Sequence, residues 1–200
     1  MSLVDRAKNM IMSPKNEWAV IADESPDVGS IITTYVLPLA VVASIAAFIG
    51  YGIIGVPIPF FGGTSASITI GISHAVLNLI TSILSVLLTA FVVDALAGSF
   101  ASEKNFGKAV QLVAYSYTPM WLGGILNVYP PLSIIGSLFG FYGLYLIYLG
   151  LPHTMKTPPD KVVIYLIVTI VVLLVLYFII AAVLTAILAV VGLGLLSTAM

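Results

Sequence analysis

Five long apolar runs, separated by short polar connections, dominate the pattern of the chain. A helix needs about 20 apolar residues to cross the hydrocarbon core of a bilayer. Strands of a membrane β-barrel would instead alternate apolar and polar residues over about ten positions, and these runs do not alternate. The pattern therefore predicts an all-α integral membrane bundle of five transmembrane helices, at residues 31–54, 68–97, 109–127, 131–151 and 162–196.

The third run, 109–127, is the shortest of the five and carries Gln111, Ser116 and Thr118. Pro119 predicts a bend in it, because the missing proline amide leaves the carbonyl of Tyr115 without its helical partner. The count of five crossings therefore depends most on this segment.

The first thirty residues carry too many charged side chains to be the apolar part of a signal peptide. Ser13 and Pro14 make a good helix start, and Met10, Trp18 and Ile21 suit an amphipathic segment on the membrane surface. We therefore divide the chain into a cytoplasmic N-terminal segment, residues 1–30, and a transmembrane domain, residues 31–200.

The distribution of basic residues predicts the orientation. All seven fall on one side of the five-helix weave: Arg6, Lys8, Lys15, Lys104, Lys108, Lys156 and Lys161. The connections on the other side, 55–67 and 128–130, contain none, and neither does the C-terminal tail. Because cytoplasmic loops carry the excess of Lys and Arg, we expect the N-terminus in the cytoplasm and the C-terminus outside.

Composition agrees with a lipid environment. The chain is 60% hydrophobic and only 8% charged, whereas soluble domains have about 25% charged residues. Its net charge of −1 provides no basic stripe for nucleic acid, so no nucleic-acid partner is expected. The absence of cysteine excludes disulfides, thiolate metal sites and a cysteine nucleophile.

Motifs of catalysis and of cofactor binding are missing from the sequence. It has no H-E-x-x-H, no phosphate-binding loop ending in Gly-Lys-Ser/Thr and no G-x-S-x-G. A zinc site at His74 would need further ligands, and His153 is predicted on the other side of the membrane. We therefore expect neither an enzyme nor a cofactor.

Several polar side chains fall inside the predicted spans, where ionisable groups are costly and often functional. They form a candidate intramembrane polar site: His74, Asn78, Asp94, Gln111 and Tyr115. The alternative is ordinary helix packing, in which small and polar residues face the bundle interior. For Asp94, the alternative is a contact with the headgroup region or with Lys104 or Lys108.

Three stretches resemble motifs of one family. They are "SPKNEWAVIADES" (13–25), "AYSYTPMWLGG" (114–124) and "YGLYLIYLGLPHTMKTPPDKV" (142–162). The chain resembles the Yip family, the Ypt/Rab-interacting polytopic membrane proteins, in its prokaryotic branch. The resemblance implies a five-helix protein of the cytoplasmic membrane of a prokaryote. The chain lacks the long N-terminal domain and the Asp-Leu-Tyr-Gly-Pro element of eukaryotic members, so Rab binding is not carried over.

Two functions are compatible with these patterns. The first is a non-enzymatic scaffold or adaptor that docks a membrane-associated protein, or organises lipid, at its cytoplasmic face. The candidate docking residues are Glu17, Trp18, Glu24, His153 and Lys156, with the loop 150–161 packed so that Lys156 lies near Glu17 or Glu24. The alternative is a small permease or channel that uses the polar faces of the second and third helices. Both functions are compatible with a homo-oligomer.

Overall fold

The computed structural model of the chain describes residues 1–58 and 62–198, with the side chains of the last helix given up to Val183 and for Thr185. The described backbone is helical nearly throughout, which confirms the all-α prediction. The helices are α1 Leu3–Met12, α2 Pro14–Ala22, α3 Val28–Ile31, α4 Leu37–Phe48, α5 Ile68–Leu96, α6 Phe106–Ser116, α7 Thr118–Gly124, α8 Ser133–Thr154 and α9 Val162–Thr198. Two short strands, β1 Val56–Pro57 and β2 Thr64–Ser65, pair antiparallel, with Val56 opposite Ser65.

Within the described residues, four helices are long and apolar enough to cross a membrane. They are Val28–Ile54, Ile68–Phe100, Pro130–Thr154 and Val162–Val183, and they correspond to the first, second, fourth and fifth predicted spans. The first joins α3 and α4 through a π-helical segment at Ile32–Val36, and a second π-helical segment, Ile49–Ile54, follows α4. The first π-helical segment lies just before Pro38, which cannot donate to the regular helical ladder.

The third predicted span is a broken helix. Helix α6 ends at Ser116 and α7 begins at Thr118, which confirms the bend predicted from Pro119. The Thr118 hydroxyl donates to the carbonyl of Tyr115 at 2.6 Å and replaces the bond that Pro119 cannot make. A 3-10 turn, Ile125–Val128, follows α7.

This broken segment lies beside the first long helix and runs in the same direction. Pro26 precedes the long helix and contacts the start of α6, since a Cβ on Gly107 would lie 3.0 Å from it. At the other end, a Cβ on Gly50 would lie 1.9 Å from the carbonyl oxygen of Asn127. Residues 106–128 therefore extend from one end of the bundle to the other, although neither α6 nor α7 is long enough alone.

Helix α6 is the centre of the bundle, because every residue from Ala109 to Ser116 is buried. The N-terminal segment belongs to the same core, since Met10, Trp18 and Ile21 are fully buried with it. The apolar residues of the N-terminal segment therefore face the bundle, with α2 packed against α8. Many large exposed apolar side chains, such as Phe91, Phe141 and Phe178, lie on α5, α8 and α9 and provide a surface for lipid.

Candidate functional site

A buried ion network connects α1 to α2. Arg6 is 6% exposed and Glu17 is 3% exposed, and the guanidinium donates to the Glu17 carboxylate at 2.7 Å. Its second nitrogen donates to Glu24, and the side-chain amide of Asn9 donates to the other Glu17 oxygen at 2.9 Å. These bonds satisfy Glu17, whose charge would otherwise be costly to bury.

The local sequence places these groups opposite each other. Ser2 caps α1 by accepting from the Asp5 amide, and Ser13 and Pro14 reverse the chain into α2. The Arg6 guanidinium also lies 5.1 Å from the ring centre of Tyr115, on α6. Burial lowers the pKa of Arg6, but the bond to Glu24 and the neighbouring carboxylates outweigh it, so the pKa is raised and Arg6 stays charged.

Trp18 occupies a notch in the surface of α8. A Cβ on Gly150 would lie 2.8 Å from the Trp18 ring and 2.4 Å from Leu112, so only glycine leaves room for the indole. Among the described residues, the buried Trp18 ring nitrogen has no hydrogen-bond partner. The Trp18 side chain is therefore held by van der Waals packing and not by a hydrogen bond within the described structure.

Lys108 closes the end of α2. Its ammonium donates to the carbonyl of Ala22 at 2.8 Å and to that of Glu24 at 2.7 Å. Carbonyls at a helix C-terminus lack helical partners and attract cations. Arg6 thus connects the two helices of the hairpin, and Lys108 attaches the end of α2 to α6.

Lys156 does not pair with Glu17 or Glu24, contrary to the expectation from the sequence. Lys156 lies 2.6 Å from a carboxylate oxygen of Glu103, whereas Glu17 and Glu24 pair with Arg6. The expected loop 150–161 is also shorter, because α8 continues to Thr154. His153 is therefore on the last turn of that helix, exposed, with its Nδ1 2.9 Å from the Leu149 carbonyl.

The five candidate docking residues consequently separate into two groups. Glu17 and Trp18 are buried within the protein, so neither can form an accessible docking surface in this conformation. Glu24 is partly exposed but bound to Arg6. His153 and Lys156 are exposed and lie on the surface formed by the end of α8 and its following loop.

The candidate intramembrane residues do not form one site. His74 is exposed and stacks on Tyr51, with ring centres 4.0 Å apart. Asn78 accepts from the Ser44 hydroxyl at 3.2 Å. Gln111 and Asp94 lie in other parts of the bundle, each with a buried side-chain oxygen that lacks a partner in the described structure. Tyr115, as described above, lies under Arg6.

Asn78 instead contributes to a cavity that the sequence did not predict. The cavity has a volume of about 350 Å³ and lies between α5 and α8, with α4 and α7 completing its wall. Its polar lining consists of Asn78, Thr81, Ser82, Ser85, Tyr117, Asn127, Ser133 and Ser137. The regular spacing of polar residues on α5 is the sequence feature that indicates this wall of the cavity. The opposite wall could not be predicted, because its residues are distant from α5 in the sequence.

Comparison with known proteins agrees with the fold. The Yip1 domain matches residues 8–183, most of the chain. The chain belongs to the Yip1 domain family. The resemblance drawn from three motifs is therefore confirmed, and the matched region includes the Arg6 partner residues and the cavity.

Two related proteins are named inner membrane protein YohC, from Escherichia coli strain K12 and from Escherichia coli O6:H1. Each is 28% identical to this chain over 153 residues, which cover 74% of the chain and 77% of the relative. No solved structure matches the chain.

Proposed function

We propose that this Yip-family protein is a non-enzymatic scaffold or adaptor of the inner membrane that docks a membrane-associated protein at its cytoplasmic face. The main support is the α1–α2 hairpin, which Arg6, Trp18 and Lys108 build into the bundle. This packing makes the face one preorganised surface, which lowers the entropy lost when a partner binds. The inner-membrane location agrees with the printed name of the relatives.

One accessible part of this face is formed by two loops, residues 101–105 and 155–161, together with His153. We refer to it as the loop face. The Glu103 amide donates to the Met155 carbonyl at 2.7 Å, and the Ser102 hydroxyl donates to that of Thr157 at 2.9 Å. These contacts hold the loops side by side.

Lys156 occupies a strained backbone position on the loop face. Its φ is 51°, a left-handed conformation that favours glycine. The Thr157 amide donates to the Leu151 carbonyl, which ends α8 in the manner of a helix C-cap. The Lys156 side chain is 74% exposed and its ammonium lies 2.6 Å from a Glu103 carboxylate oxygen, so it is accessible on the loop face.

The charge of the loop face indicates the chemistry of its partner. Lys104, Lys156 and Lys161 are exposed, whereas the carboxylates in the two loops belong to Glu103 and Asp160. This slight excess of positive charge suits an acidic protein surface, because complementary charge speeds encounter and selects partners.

Photo-crosslinking in native membranes tests this proposal. A photoreactive amino acid at Lys104 or Lys156 should give an adduct heavier than the monomer, whereas one at Thr64 should not. Thr64 is a matched control because it is exposed and lies in the connection between the first two long helices. An adduct of twice the monomer mass would identify the partner as a second copy. Absence of protein adducts from both lysines, or equal adducts from Thr64, would contradict docking at the loop face.

A further inference from the structure

We propose that the cavity between α5 and α8 binds a small uncharged polyol. This site is separate from the loop face and does not depend on the docking function. Its volume of about 350 Å³ lies at the lower end of ligand pockets, which are roughly 300–1,000 Å³.

The walls combine close helix packing with small side chains. Helices α7 and α8 approach so closely that a Cβ on Gly123 would lie 2.5 Å from the carbonyl oxygen of Gly136. Gly124 also packs closely, since its added Cβ would lie 3.0 Å from the Cβ of Ala43, whereas Gly140 leaves space, with Met120 4.0 Å from its added Cβ. Small residues therefore allow the close contact between α7 and α8 and also leave the space beside it.

The cavity contains hydrogen-bonding groups that the protein itself does not satisfy. Asn78 uses its oxygen to accept from Ser44, but its amide nitrogen has no partner in the described part of the chain. Likewise, among the described residues, no hydrogen bond is formed by the side chains of Asn127, Ser82, Ser85 and Ser133. These groups are partly exposed and free to bond to an occupant, so a molecule that both donates and accepts hydrogen bonds would pair with them better than an apolar one.

The lining also indicates the charge of the occupant. Within the described structure, no Asp, Glu, Lys, Arg or His lines the cavity, so a charged ligand would lose hydration without gaining a counter-charge. Amides and hydroxyls both donate and accept, as the groups of a polyol do. Trp121 and Met120 supply apolar surface for the C–H face of such a molecule.

The polar lining ends at Tyr117. Its hydroxyl is bonded to that of Thr89 at 2.7 Å, and Tyr117 with Met120 separates the cavity from a second one of about 100 Å³. The second cavity is lined mainly by apolar side chains, such as Leu144 and Ile170. The geometry therefore favours a binding site that is closed at this end over a continuous polar path.

Tryptophan fluorescence provides a local test of binding. The chain has two tryptophans. Trp121 lines the cavity, whereas Trp18 is buried in its notch, so a Trp18→Phe variant reports from the cavity alone. In lipid nanodiscs of phosphatidylcholine, erythritol should change its emission saturably. Glycerol 3-phosphate should not do so, and the signal should be absent in Trp121→Phe.

Two variants test whether the named groups bind the polyol. Asn78→Leu, which removes the free amide, should weaken erythritol binding about tenfold, and Asn16→Leu on the exposed side of α2 should leave it unchanged. Independently, a Ser85→Cys variant should react with a water-soluble thiol reagent, and erythritol should slow that reaction. The second variant keeps the test valid if Asn78→Leu does not fold.

The source of the polyol is distinguished by repeating the titration with phosphatidylglycerol in the discs. A weaker apparent affinity for erythritol would identify the glycerol headgroup of a lipid as the natural occupant, and an unchanged affinity would identify a free solute. Failure of erythritol both to change Trp121 emission saturably and to protect Ser85→Cys would overturn the proposal. An equal response to glycerol 3-phosphate would also contradict it.

Discussion

Replacing Arg6 with methionine is expected to lower the free energy of unfolding by about 3–5 kcal/mol, because it leaves Glu17 buried without its counter-charge. Arg6 and Glu17 side chains are 8% and 4% exposed, so solvent cannot compensate. For a chain of this length, the midpoint of thermal unfolding in detergent should fall by roughly 6–20 °C. Thermal unfolding followed by circular dichroism measures the change.

The matched control is Lys8→Met, two residues along α1 on its exposed side. It should change stability by no more than about 0.5 kcal/mol. Adding Glu17→Gln to Arg6→Met should restore part of the loss, since the uncompensated charge is then gone. If Arg6→Met and Lys8→Met behave alike, the ion network does not hold the hairpin in place.

Replacing Gly50 with alanine should also be strongly destabilising. The new Cβ would lie 1.9 Å from the backbone oxygen of Asn127, and a backbone atom cannot rotate away as a side chain can. Overpacking typically costs about 1–3 kcal/mol, and we expect the upper end here. Thermal unfolding in detergent measures it.

Gly98→Ala is the control for this substitution, because nothing lies within 4 Å of its added Cβ. It should be close to neutral. A neutral Gly50→Ala would mean that the end of the segment 106–128 does not pack against the first long helix, which would remove the evidence that this segment extends along the whole bundle.

The long helices were predictable because each is a continuous apolar run, and a run of that length in a membrane forms a helix. The first predicted span, 31–54, corresponds to Val28–Ile54, and the fourth, 131–151, corresponds to Pro130–Thr154. The break in the third also followed from one residue, Pro119. That α6 is the buried centre did not follow from the pattern, because burial depends on which helices surround it.

The partner of the acidic candidate residues was not predicted: Glu17 and Glu24 pair with Arg6, not with Lys156. The turn at Ser13 and Pro14 was the available signal, since a reversal there brings Arg6 back toward Glu17. Trp18 was expected at an interface because its residue type favours one. Its burial depends on Gly150, more than a hundred residues away.

The side of the membrane that holds the C-terminus tests the central claim most directly, because five crossings from a cytoplasmic N-terminus place it outside. Paired fusions of alkaline phosphatase, active outside, and green fluorescent protein, fluorescent inside, should be made after Met200 and near Pro158. We expect phosphatase activity from the fusion after Met200 and fluorescence from the one near Pro158, as five crossings with a cytoplasmic loop face require. Fluorescence rather than phosphatase activity from the fusion after Met200 would contradict the five-crossing bundle, with residues 106–128 failing to cross.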